Sequence, residues 1–315
     1  MKTGLRIAAF AAALAATFGT AYGVGSGVGE ISPEPASAAH QGHTDSARGE
    51  GSEHGGGDEH GGEDEAGGHE LSPPGGLQIS EGGYTLDLKT PRLQPGKRAE
   101  LRFAIVREAT GRPLTAYDRE HDKELHLIVA SRDLATFRHL HPTRAADGTW
   151  STSVALPETG PYRVFADFTP KGGEGLTLGT DLAVPGAYEP AKLPASGTAA
   201  RVDGYQVKLA GGLTPGKSGE LTLTVSKDGK PVRNLQPYLG AYGHLVALRS
   251  GDLAYLHVHP GGEPGDSRTE PGPEISFMAT APSPGAYRLF LDFKHQGQVH
   301  TAAFTVQAAR NTSIG

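Results

Sequence analysis

The sequence predicts an all-β protein with two tandem immunoglobulin-like (Ig-like) β-sandwich domains. Short runs such as AELRFAIV and GELTLTV alternate apolar with polar residues, which is the pattern of half-buried strands. Turn signals such as PGK, DGT and DGK separate these runs, and no long stretch has helical period. With 46 glycines and 23 prolines in 315 residues, the composition also suits β-domains joined by loops better than a helical bundle.

An internal repeat defines the two domains. YTLDL at Tyr84 matches YQVKL at Tyr205, LQPGKRAELRF matches LTPGKSGELTL, and GPYRVFADF matches GAYRLFLDF. We therefore predict one sandwich at 77–187 and a second at 203–307, joined by a linker at 188–202. About seven short strands in a copy of this length are typical of Ig-like sandwiches. Because proline and glycine breakers separate the copies, each half is expected to fold alone.

The N-terminal part predicts export. Lys2 and Arg6 precede an uncharged run from Ile7 to Gly29, so residues 1–31 are expected to be a signal peptide or an uncleaved signal anchor. Residues 32–76 are rich in Gly, Glu, Asp and His without apolar periodicity, which predicts a disordered linker. The protein is therefore expected outside the cytoplasm, secreted or anchored, with membrane contact only through its N-terminal segment.

The linker histidines have two open interpretations. They belong to a soluble spacer, or they collect cations weakly together with the carboxylates around them. The residues concerned are His40, His43, His54, His60 and His69.

Composition limits the possible chemistry. The net charge is −6 and no basic stripe is present, which argues against nucleic acid as a partner. There is no cysteine, and Met1 and Met278 are the two methionines. A metal ion would therefore have to be held mainly by His, Asp or Glu.

One phrase occurs in both repeats. HLIVASRDLATFRHLHP begins at His126, and HLVALRSGDLAYLHVHP begins at His244. We predict two hairpins with two-residue turns, which would place His126 opposite His139 and His244 opposite His257. Since H-x-H side chains share a strand face, three imidazoles should converge in each domain and bind copper or zinc. The predicted triads are His126, His139 and His141, and His244, His257 and His259.

Two carboxylates occupy matching positions in the repeats. Asp167 and Asp292 are candidates to complete each metal site or to hold a ring through its second nitrogen. The competing interpretation is that the histidines only support the fold. His121, His295 and His300 have no counterpart in the other copy, so we treat them as incidental or supporting.

The two H-x-H-P phrases, behind an export signal and a His-rich linker, resemble a poorly characterised group of bacterial secreted or membrane-anchored proteins. These carry H-L-x-V-x-S-x-D-L-x-x-F-x-H-x-H-P motifs on tandem Ig-like domains. The resemblance implies a cell-envelope protein that handles heavy metals, without assigning an activity. The second copy departs from the motif with SGDL in place of SRDL, which argues against Asp133 as a ligand.

The favoured function is non-catalytic binding of copper or zinc, with buffering or delivery of the ion. The proposed arrangement is one site in each domain, and a single site shared by the two motifs across an interface is the open alternative. Its expected partners are the metal ion and an envelope metal transporter or chaperone. The alternative is a structural or adhesive tandem Ig-like module with structural histidines. A cupin-like metalloenzyme is a weaker alternative, because Gly251, His257, His259 and Glu263 match the first half of a cupin motif that the first repeat lacks.

Overall fold

The structure is a computed structural model that describes residues 74–256 and 258–309, apart from the side chain of His259. The predicted signal or anchor segment, most of the predicted linker with its five histidines, and His257 lie outside the described residues. Within those residues, no helix is long and apolar enough to cross a membrane.

Domain 1 is made of the strands between Ser80 and Val184. They are β1 (Ser80–Glu81), β2 (Tyr84–Leu88), β3 (Arg98–Arg107), β4 (Arg112–Pro113), β5 (Tyr117–Asp118), β6 (His126–Ser131), β7 (Phe137–Leu140), β8 (Thr143–Arg144), β9 (Thr149–Ala155), β10 (Gly160–Pro170) and β11 (Leu176–Val184).

Domain 2 is made of the strands between Ala199 and Ala308. They are β12 (Ala199–Val202), β13 (Tyr205–Gly211), β14 (Ser218–Lys227), β15 (Lys230–Pro231), β16 (Gly243–Arg249), β17 (Tyr255–Leu256), β18 (Val258–Pro260), β19 (Glu274–Thr280), β20 (Gly285–His295) and β21 (Gln298–Ala308).

Strand order confirms the predicted fold class. In domain 1 one sheet has the order β1-β2-β3-β9-β8, with β4 on β3, and the other has the order β11-β10-β6-β7, with β5 on β10. Domain 2 repeats this with β12-β13-β14-β19-β18 and β17-β16-β20-β21. An Ig-like sandwich has seven main strands. The first, second, fifth and fourth form one sheet, and the third, sixth and seventh form the other, which is the arrangement of each domain here.

A tyrosine fixes the same corner in both domains. The Tyr162 hydroxyl donates to the Glu158 carbonyl at 2.9 Å, and the Tyr287 hydroxyl donates to the Ser283 carbonyl at 2.8 Å. Both rings are buried in their own domain's core. A tyrosine that bonds back to the chain just before its strand is a hallmark of Ig-like sandwiches.

The strands β6 and β10 are buried on both faces, and this is what positions the histidines. Leu127 and Val129 point into the core of domain 1, whereas Ile128 and Ala130 belong to a third apolar cluster shared with domain 2. Because side chains alternate along a strand, His126 lies on the same face as Ile128. The first histidine of the motif therefore faces the other domain.

The third apolar cluster joins the two sandwiches through two aromatic contacts between equivalent positions of the repeat. Phe137 stacks on Phe290 with ring centroids 4.1 Å apart, and Tyr255 contacts Phe165 at 5.7 Å. In the repeat, Phe137 corresponds to Tyr255 and Phe165 to Phe290. The domains thus exchange equivalent contacts, as in an isologous dimer.

The predicted register of the hairpins is wrong by two residues. Strand β6 pairs with β7 as Leu127↔Leu140 and Ile128↔His139, so His139 is not opposite His126. The chain needs a longer loop than two residues: the Ser131 amide donates to the Thr136 carbonyl, and Leu134 takes a positive φ of 61°. The second hairpin shows the same displacement, with Ala247 opposite Leu256. An even displacement keeps every side chain on its predicted face.

We expect Phe290→Ala to lower the free energy of unfolding by about 3 kcal/mol, because a buried ring that stacks on the other domain is lost. Urea denaturation of the full chain measures this. Met278→Ala removes a large apolar side chain that is 42% exposed, and it should change stability by less than about 0.5 kcal/mol. Equal effects of the two substitutions would show that the interdomain cluster contributes nothing to cooperative folding.

Candidate metal centre

The first predicted triad converges. His126 starts β6, His139 lies in β7 and His141 follows that strand by one residue. One ring nitrogen from each lies within 4.8 Å of the others, which makes the group geometrically able to hold one ion. The ring centroids are 5.3 Å apart for His126 and His139, 5.4 Å for His126 and His141, and 4.7 Å for His139 and His141.

Hydrogen bonds on the outer sides of two rings set their tautomers. His126 Nε2 lies 3.2 Å from the Glu120 carbonyl oxygen, and His139 Nδ1 lies 2.9 Å from Asp292 Oδ2. Both oxygens only accept, so these two nitrogens carry the protons. The remaining nitrogens, His126 Nδ1 and His139 Nε2, then present lone pairs toward the centre of the triad.

Those two nitrogens lie 3.1 Å apart. Two lone pairs repel each other at this distance, and a cation bound between them would relieve the repulsion. Tetrahedral Zn²⁺ with bonds of 2.0–2.1 Å would separate two ligand nitrogens by about 3.3 Å, which is close to the observed spacing. His141 adds a third donor, because its Nε2 is buried and has no hydrogen-bond partner.

Asp292 accepts from His139, a ring of domain 1, whereas the sequence paired it with the histidines of its own domain. Its side chain is 5% exposed, like that of His139, and it comes from domain 2. The hydroxyl of Thr301 donates to its other oxygen. A buried carboxylate that accepts from a ligating histidine orients the ring and raises its basicity, as in carboxylate–histidine–zinc sites.

Asp167, the repeat partner of Asp292, lies opposite His126 in the pairing of β10 with β6. Its Oδ1 accepts from the Thr177 hydroxyl at 2.8 Å. Within the described part of the chain, the group of close donor atoms contains the three histidines of domain 1 and neither aspartate. A direct ligand role for Asp167 therefore stays a prediction.

Domain 2 brings His244 to the same place. His244 Nε2 donates to the Tyr238 carbonyl at 2.7 Å, which repeats the bond from His126 to Glu120. Its ring lies 6.0 Å from that of His126 and 5.9 Å from that of His139. His257 and the side chain of His259 are outside the described residues, so the second triad stays a prediction. The backbone of His259 pairs with Met278.

Burial lowers the pKa of three imidazoles of the cluster. Desolvation, with a smaller contribution from His139, lowers the pKa of His126 to about 2 and that of His141 to about 3. Desolvation also lowers the pKa of His244 to about 4. Neutral imidazole is the form that ligates a metal ion, so burial prepares these rings for binding at pH 7.

Three further histidines were set aside at the sequence level. His121 belongs to the cluster after all, with its ring 5.2 Å from His244 and 6.2 Å from His126. Nothing in its spacing indicated this, because it sits in a turn and approaches a ring of the other domain. His295 bonds Tyr205 and Asn234, and His300 bonds Asp203, so these two support domain 2.

An open cleft of about 390 Å³ between the domains gives access to the cluster. Imidazoles and carboxylates of both domains line it. They include His121, His126, His139, His244, Glu120, Asp167 and Glu263.

A family model described as Domain of unknown function (DUF8832) matches the chain twice, at 78–185 and 200–310. These two matches coincide closely with the two sandwiches. No curated protein matches the chain.

Three solved structures illustrate the likeness to known folds. The Escherichia coli adhesin FdeC is 13% identical, with 73% of this chain and 65% of that chain covered at a TM-score of 0.23. The Yersinia pseudotuberculosis adhesin InvE is 13% identical, with 73% and 60% covered at 0.22. A putative membrane anchored protein from Corynebacterium diphtheriae is 10% identical, with 75% and 61% covered at 0.22.

The chain thus spans less than two thirds of the length of each of these structures. Identities and TM-scores this low do not bear on what the chain binds. The fold assignment depends on the chain's own strand order.

We expect the metal-free protein to lose stability as the pH falls from 8 to 5. Unfolded imidazoles take up protons below about pH 6.5, while His126, His141 and His244 stay neutral in the folded protein. The unfolded state then binds more protons, so each such imidazole removes up to about 1.4 kcal/mol of stability per pH unit. Urea denaturation in the presence of a chelator measures the slope.

His126→Gln should make this slope shallower, because one titrating group is removed from the unfolded chain. A slope that is flat between pH 8 and 5 would contradict the burial of neutral imidazoles.

Proposed function

Because the chain belongs through both repeats to the family described as Domain of unknown function (DUF8832), whose description assigns no activity, we propose a function from the site itself. The protein is an exported, non-catalytic binder of a transition metal ion, copper or zinc. The ion is held by His126, His139 and His141. The main support is the pair of ring nitrogens that face each other at 3.1 Å with their lone pairs turned inward.

The donor chemistry supports copper or zinc. Imidazole is a borderline ligand that suits both metals, and the chain has no cysteine to offer a thiolate. Three protein ligands leave a fourth coordination position for water or a partner's ligand. An ion bound in this way can be exchanged through the cleft, which suits buffering or delivery to an envelope metal transporter or chaperone.

Export and the absence of catalysis are part of the same proposal. The basic start and long uncharged run support a location outside the cytoplasm, secreted or anchored by the N-terminal segment. The Ig-like strand order differs from the jelly roll of cupins, so the fold does not support the cupin-like alternative.

A structural or adhesive tandem module is the second candidate. The aromatic stacking and the bond from His139 to Asp292 both join the domains, and histidines that serve this contact would need no metal. Two of the similar structures are adhesins, in line with this candidate, although likeness at TM-scores of 0.22 and 0.23 does not choose between the two. Stoichiometric metal in the purified protein would favour the first candidate.

We expect Asp292→Asn to weaken Cu²⁺ or Zn²⁺ binding about 10- to 100-fold, because His139 loses the carboxylate that orients it. Competition with a chelator strong enough to strip the linker histidines measures the affinity of the folded site. Asp203→Asn is the matched control, since Asp203 accepts from His300 Nδ1 at 2.8 Å outside the triad. That control should leave the affinity unchanged.

His139→Ala combined with His141→Ala should abolish this binding, because one nitrogen alone remains from the triad. Circular dichroism confirms folding of each variant. Wild-type affinity in the folded double variant would show that the triad is not the site. If the folded domains bind no metal while a peptide of residues 32–76 does, metal handling belongs to the linker.

A further inference from the structure

Ring spacing shows which imidazoles can share an ion. For bonds of 2.0–2.1 Å, a ring centre lies about 3.2 Å from the metal, so two imidazoles on one tetrahedral ion have centroids about 5 Å apart. The three rings of the triad meet this spacing, at 4.7–5.4 Å.

His121 and His244 meet the same spacing as a separate pair. Their centroids are 5.2 Å apart. His244 is 5.9 and 6.0 Å from His139 and His126, and His121 is 6.2 Å from His126. These longer distances divide the five rings into the triad and a pair whose members come from different domains.

The tautomer of His244 fits this division. Its Nε2 donates to the Tyr238 carbonyl at 2.7 Å, so its Nδ1 carries the lone pair. His244 is 8% exposed, and the residues that line the cleft beside it include Glu120 and Glu263. Two imidazoles on one ion leave its remaining coordination positions to water, an arrangement that zinc and copper accept.

His121 is held over His244 by a strained turn. Glu120 and Lys123 exchange backbone hydrogen bonds around His121 and Asp122, which have φ values of 49° and 64°. The matching turn in domain 2 has Leu239 and Gly240 at 55° and 72°. Positive φ costs a non-glycine residue of order 1 kcal/mol, and such strain clusters at functional positions. The strained turn brings the imidazole of domain 1 to the histidine of domain 2.

From these observations we propose that the cleft takes a second transition metal ion, with His121 and His244 as ligands. This proposal rests on the proposed function of the triad. The two ions lie in one cleft and repel each other, while the carboxylates lower that repulsion. The second ion therefore binds more weakly than the first, and the two metal centres are close enough to interact magnetically.

Electron paramagnetic resonance of the full chain tests this with one and two equivalents of Cu²⁺. One equivalent should give an isolated Cu²⁺ signal from the triad. Two equivalents should give a spectrum broadened by dipolar coupling between the two ions. Copper bound to the linker adds an unbroadened signal, so it cannot imitate the coupling.

The variant His121→Gly should lose the coupled signal and keep the signal of the first equivalent. Glycine accepts positive φ without strain, so the variant is expected to fold at least as well as the natural protein. Asp122→Gly relieves strain in the same turn and keeps the imidazole, so it should retain the coupling.

The possible failures are distinct. If no coupling appears even when Cu²⁺ is added until the linker is also loaded, with the first ion still at the triad, the second site is overturned and the proposed function is left standing. Coupling that survives His121→Gly would overturn the role of His121. Loss of binding at the first equivalent would overturn the proposed function and this proposal with it.

Discussion

The packing of two sheet faces against each other, one from each domain, decides where every described histidine of the cluster lies. On β6 and β10, one set of alternate side chains fills the core of domain 1 and the other set fills the interdomain cluster. His126 continues the second set at the end of its strand. Without the partner domain the bond from His139 to Asp292 would not exist.

Duplication explains why the histidine phrase occurs twice in one chain. The domains make equivalent contacts with exchanged roles, since Phe137 meets Phe290 and Tyr255 meets Phe165. An interface of this kind brings the same motif to the same place from both sides. His126 and His244 thus meet at 6.0 Å, each held by the carbonyl of an equivalent turn. The sequence left open whether the two motifs build separate sites or share one across an interface, because a repeat does not reveal how its copies pack.

Local patterns in the sequence predicted much of the fold. Alternation along GPYRVFADF placed Tyr162 and Asp167 on opposite faces of β10, as the structure has them, and the repeat located both sandwiches. The triad followed from the rule that H-x-H side chains share a face, a rule that the error of two residues in register did not disturb. His121 could not be predicted in the same way. Its position depends on the geometry of a turn and on a contact with the other domain. Neither of these produces a periodic pattern in the sequence.

The proposed ion would relieve several energetic costs of the cluster. Burying a polar atom without a partner costs about 1–3 kcal/mol, and His141 Nε2 is such an atom. Apolar residues of similar volume could join the domains at less cost, as Phe137 and Phe290 already do a few residues away. A bound cation would satisfy His141 Nε2, His126 Nδ1 and His139 Nε2 together, and it would also neutralise part of the buried charge of Asp292. With the proposed ion in place, these three nitrogens would gain a ligand bond each, and the cost of burying them without a partner would be removed.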